Sequence, residues 1–242
     1  MGLWGNLVSL RPLGGCDPSS NLGSPIQFKM KIKKLIHCCL LIEEKGLRIL
    51  TDPGTYLEEP ENINKIDLII ITHEHQDHLH IGSLKAVIKN NPKAKIFTNK
   101  AVGKLLDAEK INYELLENNQ KKVIKGVSIE AFGHDHAHMY KIVPCMNTGY
   151  FIADKLFYPG DSFHKPPKSV DILALPVAGP WLKISESIDY ALDVSPKIAF
   201  PVHEGMLKKP GSAHRLPPTI LEPKGIKFVI IEEGKEIDFS KH

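Results

Sequence analysis

The chain has 242 residues, 42% hydrophobic and 24% charged, with a formal net charge of +3. That is enough for one large domain, ordinary for a soluble globular protein, and too mildly basic to indicate a nucleic-acid partner by itself. No apolar run approaches the roughly 18 residues of a membrane span. The four cysteines (Cys16, Cys38, Cys39, Cys145) show neither a C-x-x-C pair nor a disulfide framework, so a cytoplasmic location is expected.

Residues 1–29 are rich in Gly, Ser, Pro and Leu, and show no periodicity. They lack the basic start and long apolar core of a secretory signal. They read as a leader, tag or disordered extension, with a small docking extension as the alternative. Met30 opens the domain expected over 30–242.

From Met30 the pattern predicts strands at 31–36, 38–43 and 47–51, the last ended by Asp52-Pro53-Gly54. The run Ile66-Asp67-Leu68-Ile69-Ile70-Ile71 is short, β-branched and nearly continuous, as in a buried strand. A helix is predicted over 79–90, a strand over 94–98, and a helix over 99–110 with Asn99 as its cap. The second half repeats this grammar. Strands are predicted at 122–124, 127–132, 149–153, 156–158, 171–175, 197–200, 227–231 and 236–239, with a helix over 184–194. Two halves of mixed strands followed by helices predict an α/β protein in four layers, an αββα sandwich.

The most informative segment is Thr72-His73-Glu74-His75-Gln76-Asp77-His78, directly after a buried strand. Imidazoles and a carboxylate at a strand end offer the nitrogen and oxygen ligands that zinc and its neighbours prefer. His73 and His75 sit two apart and can reach one ion. Asp77 and His78 follow and can reach a second. Ligand-type residues recur at later strand ends, in Gly133-His134-Asp135-His136-Ala137-His138, Pro159-Gly160-Asp161-Ser162 and Pro201-Val202-His203-Glu204-Gly205. Alone, Asp161 reads as a turn former and His203 as a surface or core histidine. Four such loops together point to a metal centre held on rigid elements.

These motifs resemble the metallo-β-lactamase-fold superfamily, from Met30 to Phe239. Leu35-Ile36-His37-Cys38 and Arg48-Ile49-Leu50-Thr51-Asp52-Pro53-Gly54 look like the branch of L-ascorbate-6-phosphate lactonase-like and N-acylphosphatidylethanolamine phospholipase D-like hydrolases. So does Tyr158-Pro159-Gly160-Asp161-Ser162. Ile36 departs from the branch's usual glycine. The resemblance implies two divalent ions, zinc first, with manganese or iron(II) as alternatives. It places His73, His75 and a third-motif histidine on one ion, Asp77, His78 and His203 on the other, and Asp161 between them. Among His134, His136 and His138, the preferred ligand is His136 and His134 is second. Asp77 and His203 are expected to take a direct part in catalysis. Asp52 matches a buried aspartate that organises the metal loop without binding metal, and His37 a supporting residue, with a ligand role as the lesser reading.

The implied activity is dinuclear hydrolysis by a metal-bound hydroxide, acting on a small-molecule lactone, ester, β-lactam or phosphodiester. A nuclease acting on RNA or DNA is the alternative, disfavoured because the chain has no room for an inserted arm. A non-catalytic binding protein on the same fold is the remaining reading. Trp181 reads as either a pocket-rim contact or core. Lys208–Arg215 reads as a basic loop that could meet an anion, or as a solvated run.

Overall fold

The strand after Ile66 shows how the layers arise. In a computed structural model that describes residues 30–241, Leu68 and Ile70 point into one apolar cluster while Ile69 and Ile71 point into another. Side chains alternate across a strand, so a segment covered on both faces must be apolar at every position. Ile172 and Ala174 against Leu173 and Leu175 repeat the pattern in the second half.

The first sheet holds β1 (Lys31–Ile36), β2 (Cys39–Glu44), β3 (Leu47–Thr51), β4 (Leu68–Ile70), β5 (Lys95–Thr98) and β6 (Glu114–Leu115), with β14 (Glu236–Asp238) on its edge beside β1. β1 to β3 are antiparallel and β3 to β6 parallel. The second sheet runs β7 (Lys121–Ile124), β8 (Val127–Phe132), β9 (Gly149–Ile152), β10 (Leu156–Tyr158), β11 (Ile172–Pro176), β12 (Ile198–Val202) and β13 (Lys227–Phe228). It too passes from an antiparallel meander to parallel strands.

The inner faces share one core that includes Ile32, Leu40, Phe97, Ile129, Tyr150 and Phe200. Helices α1 (Ile81–Asn90) and α2 (Lys100–Ala108) cover the outer face of the first sheet through Leu84, Val87, Val102 and Leu106. Helices α3 (Ile184–Val194) and α4 (Ser212–Leu221) cover the second through Ile188, Ala191, Ala213 and Leu221. The result is the four-layer αββα sandwich. Each large apolar side chain buried in it contributes roughly 1.5–3 kcal/mol.

Two expectations are corrected. Lys208–Arg215 is not a loop throughout, because α4 begins at Ser212. The strand expected over 227–231 stops at Phe228, and the two-residue β6 was not expected. The extension expected over 1–29 lies outside the described residues. Among the described residues, no helix is long and apolar enough to cross a membrane.

Candidate metal centre

The parallel strands β3, β4, β10, β11 and β12 deliver their following loops to one edge of the sandwich. Asp52, directly after β3, anchors the loop that follows β4. Its carboxylate is fully buried and accepts hydrogen bonds from Thr72 N (2.8 Å), Thr72 Oγ1 (2.7 Å), His78 Nδ1 (2.7 Å) and the Tyr158 hydroxyl. Gly54 lets the same turn pass against this loop: a Cβ there would lie 1.8 Å from the Asp77 carbonyl oxygen. Asn99 caps α2 by accepting from Ala101 N and Val102 N, and its Nδ2 donates to Thr72 O at 2.8 Å. One cap therefore starts a helix and steadies the loop.

These contacts fix which ring nitrogens face inward. A carboxylate only accepts, so the Thr72 hydroxyl proton is committed to Asp52. Thr72 Oγ1 is then left to accept from His73 Nδ1, 3.0 Å away. His78 Nδ1 donates to Asp52, and His136 Nδ1 donates to Ala137 O at 2.6 Å. Each ring thus presents Nε2 to the centre, the arrangement that backing groups impose on metal-ligating histidines.

The inward atoms converge. His73 Nε2 lies 3.1 Å from His75 Nδ1. Asp161 Oδ2 lies 2.8 Å from His203 Nε2, 3.3 Å from His136 Nε2 and 3.8 Å from His73 Nε2. Asp161 Oδ1 lies 3.1 Å from His78 Nε2. Asp77 Oδ2 lies 3.5 Å from His203 Nε2 and 3.9 Å from His78 Nε2.

Four of these atoms, His78 Nε2, His136 Nε2, His203 Nε2 and Asp161 Oδ1, are buried without a hydrogen bond. Burial opposes ionisation of Asp161, yet His78 and His203 outweigh it and hold the carboxyl well below its usual range. Burial, then the neighbouring His78, pushes His73 well below an ordinary histidine. Buried lone pairs facing one another beside an ionised carboxylate fit divalent cations, because a cation satisfies the orphaned lone pairs and balances the charge.

Two groups of candidate ligand atoms emerge. His73, His75, His136 and Asp161 lie within 4.8 Å of one another, and so do His37, Cys38, His78 and His203. Six of the residues singled out from the sequence, His73, His75, His78, His136, Asp161 and His203, fall in these groups, and Asp77 lies outside both, beside them through His203 Nε2 at 3.5 Å. Of the third-motif histidines, His136 points inward, whereas His134 is exposed and paired with Asp135 and His138 is also exposed. His37, for which a ligand role was the lesser reading, and Cys38, which was not expected as a ligand, join the second group. Burial pushes the Cys38 thiol up to about 12.

Several supporting residues escaped the sequence reading. Buried Asn147 accepts from Asp161 N (3.0 Å) and donates to Pro159 O (2.8 Å), which fixes the turn presenting Asp161. Gly160 sits at φ +63°, and a Cβ there would meet Asn147 Oδ1 at 2.4 Å. The Tyr158 hydroxyl closes on Asp52. Tyr158 carried a signal, since it opens the quoted Tyr-Pro-Gly-Asp-Ser segment, whereas Asn147 carried none. Trp181 is buried, with its ring 5.5 Å from that of His136 and 5.7 Å from that of His203, and so walls one side of the centre.

A family model described as a β-lactamase superfamily domain matches residues 31–203. The chain belongs to the metallo-β-lactamase superfamily. A relative from Mycobacterium tuberculosis is 32% identical over 184 residues, covering 74% of this chain and 85% of its own. A UPF0173 metal-dependent hydrolase of Nanoarchaeum equitans is 26% identical over 229 residues, covering 86% of this chain and all of its own. Among solved structures, a protein of Parabacteroides distasonis named as a metal-dependent hydrolase superposes with a TM-score of 0.70 at 25% identity. That match covers 85% of this chain and 94% of the other. A metallo hydrolase of Ignicoccus hospitalis shares the fold, with a TM-score of 0.68 at 20% identity over 87% of this chain and 98% of its own.

Proposed function

We propose that the centre holds two divalent cations, zinc first, and hydrolyses a small ester, lactone or phosphodiester. The chain is a metal-dependent hydrolase of the metallo-β-lactamase superfamily. The observation that carries the dinuclear reading is the convergence of orphaned His78, His136 and His203 nitrogens on Asp161. In this reading His73, His75 and His136 hold one cation, Asp77, His78 and His203 the other, and Asp161 faces both.

Cations bound there supply Lewis-acid polarisation of a carbonyl or phosphoryl oxygen and acidify water toward neutrality. Asp77 is the chain's acceptor for the attacking water. Burial raises its pKa, but the hydrogen bond from His37 and the neighbouring His78 and His203 outweigh that and hold it at about 2. It is ionised at neutral pH and can accept a proton or a hydrogen bond. Unlike Asp161 it is partly exposed, so it can reach both solvent and substrate. His203, after β12, stands 2.8 Å from Asp161 Oδ2, after β10 of the same sheet, and orients that carboxylate.

A groove of about 710 Å³ opens beside His75, lined by Glu74, Gln76, Ala101, Lys104, Leu105 and Met146. Its volume suits a small molecule. Lys104 could meet an anionic group, and Leu105 and Met146 an apolar one. Lactones enter the class because the first strands look like those of lactonase-like hydrolases.

Hydrolysis of a lactone, a phosphodiester, a β-lactam and an RNA tests the proposal, with and without chelator. Chelator-sensitive turnover of the lactone or phosphodiester, restored by added zinc or manganese, is expected. Turnover of RNA alone would assign the nuclease reading. No turnover of any substrate by the metal-loaded chain would contradict the proposal.

A further inference from the structure

His37 occupies the turn between β1 and β2, is buried to 1% exposure, and touches three separate parts of the centre. Its carbonyl accepts from His203 N at 3.4 Å. Its Nδ1 accepts from Gly205 N at 3.1 Å. Its Nε2 lies 3.3 Å from Asp77 Oδ2.

The first ring contact decides the second. A backbone N–H only donates, so the Nδ1 that faces Gly205 carries no proton. The ring proton is therefore on Nε2, where it points at a carboxylate that can accept it. Neither nitrogen is left with a free lone pair. His37 thus cannot bind a cation while these bonds stand, although its atoms lie among those of Cys38, His78 and His203.

The donor that sets the tautomer is itself held in place. Glu204, next to Gly205, is gripped by Lys34 Nζ from β1 and accepts from His214 Nε2 of α4 at 3.1 Å. Lys34 Nζ also donates to Pro201 O at 2.9 Å. Lys34 is buried to 1% exposure. The Tyr56 ring packs against His37 with centroids 4.8 Å apart. The imidazole therefore has a fixed position, a fixed tautomer and one donor aimed at Asp77.

We infer that His37 is a positioning residue whose Nε2–H orients Asp77 for the second cation and the attacking water, and is not itself a ligand. This rests on the ligand sets proposed above. It assigns the turn residue a task that links both sheets to one carboxylate.

Zinc titration of the metal-free full chain, in competition with a chromogenic chelator, tests it. His37→Phe fills the space without a donor. His37→Gln can still accept from Gly205 and donate to Asp77. In His37→Phe the weaker of two zinc affinities is expected to fall about 10–100-fold while the tighter one is unchanged. His37→Gln is expected to stay within a few-fold of the unsubstituted chain at both sites. Equal loss of one zinc in both variants would make His37 a ligand and overturn the inference. Unchanged affinities in His37→Phe would also overturn it. If the unsubstituted chain binds fewer than two zinc ions, the dinuclear reading fails, and this inference with it. Long-range ¹H–¹⁵N correlation spectra of the unsubstituted zinc-loaded chain need no variant. An Nε2–H tautomer at His37 is expected, and an Nδ1–H tautomer or a zinc-shifted Nε2 would contradict the assignment.

Discussion

His78 Nδ1 donates to Asp52 Oδ2 across 2.7 Å, with both side chains fully buried. Asp52 follows β3 and His78 closes the loop after β4, so this one bond registers two parallel strands at the metal edge. The same carboxylate gathers Thr72 and Tyr158, and through Thr72 it turns His73 inward. Asp52→Asn keeps the shape but turns an acceptor into a donor, so at least one of these groups loses its partner. Zinc affinity, read by chelator competition, is expected to fall about 10–100-fold. An unchanged affinity would show that His78 does not need its carboxylate.

Gly54→Ala is expected to destabilise the fold by about 3 kcal/mol or more, because the new Cβ overlaps backbone rather than a flexible side chain. A urea denaturation midpoint measures this. A midpoint within the error of the unsubstituted chain would mean that the turn after β3 can move away from Asp77 freely.

Asp67 joins the sheets at the opposite edge. It accepts from Arg48 N at 3.0 Å and from Lys125 Nζ at 2.6 Å, the latter in the turn between β7 and β8. Burial raises its pKa, but the Lys125 bond, the Arg48 amide and the two positive charges together outweigh it and lower it below the ordinary value. A folded-state pKa below the unfolded one gives stability that is present above the unfolded value, about 3.9, and lost as pH falls through the folded value. Asp67→Asn is therefore expected to cost about 0.5–1 kcal/mol at pH 7, the scale of a partly exposed pair. The difference should vanish toward pH 2. Urea midpoints at pH 7, 4 and 2.5 check this, and a cost that does not shrink in acid would contradict it.

Much of this was legible because it depends on local pattern. The run at 66–71, the Asn99 cap and the Asp-Pro-Gly and Pro-Gly-Asp turns each carry their own physical signal. The preference for His136 over His134 came from the family resemblance, and here His136 is the one beside Asp161. Helix α4 was missed because Pro217 and Pro218 lie inside it, and proline removes an N–H that a helix normally uses. Ala213, Pro217 and Leu221 nevertheless form one buried face at four-residue spacing, so packing on the second sheet overrides the local penalty. Asn147 and the Lys34–Glu204–His214 cluster are distant in sequence and meet only in the folded chain. No spacing rule could have paired Lys34 with Glu204, 170 positions away.

The most direct test of the metal centre is elemental analysis of the purified full chain after zinc loading and desalting, beside an Asp161→Asn variant shown to be folded by circular dichroism. Two zinc ions per chain are expected, and fewer than two in the variant. A folded chain that retains no zinc at saturating concentration would contradict the account at its centre.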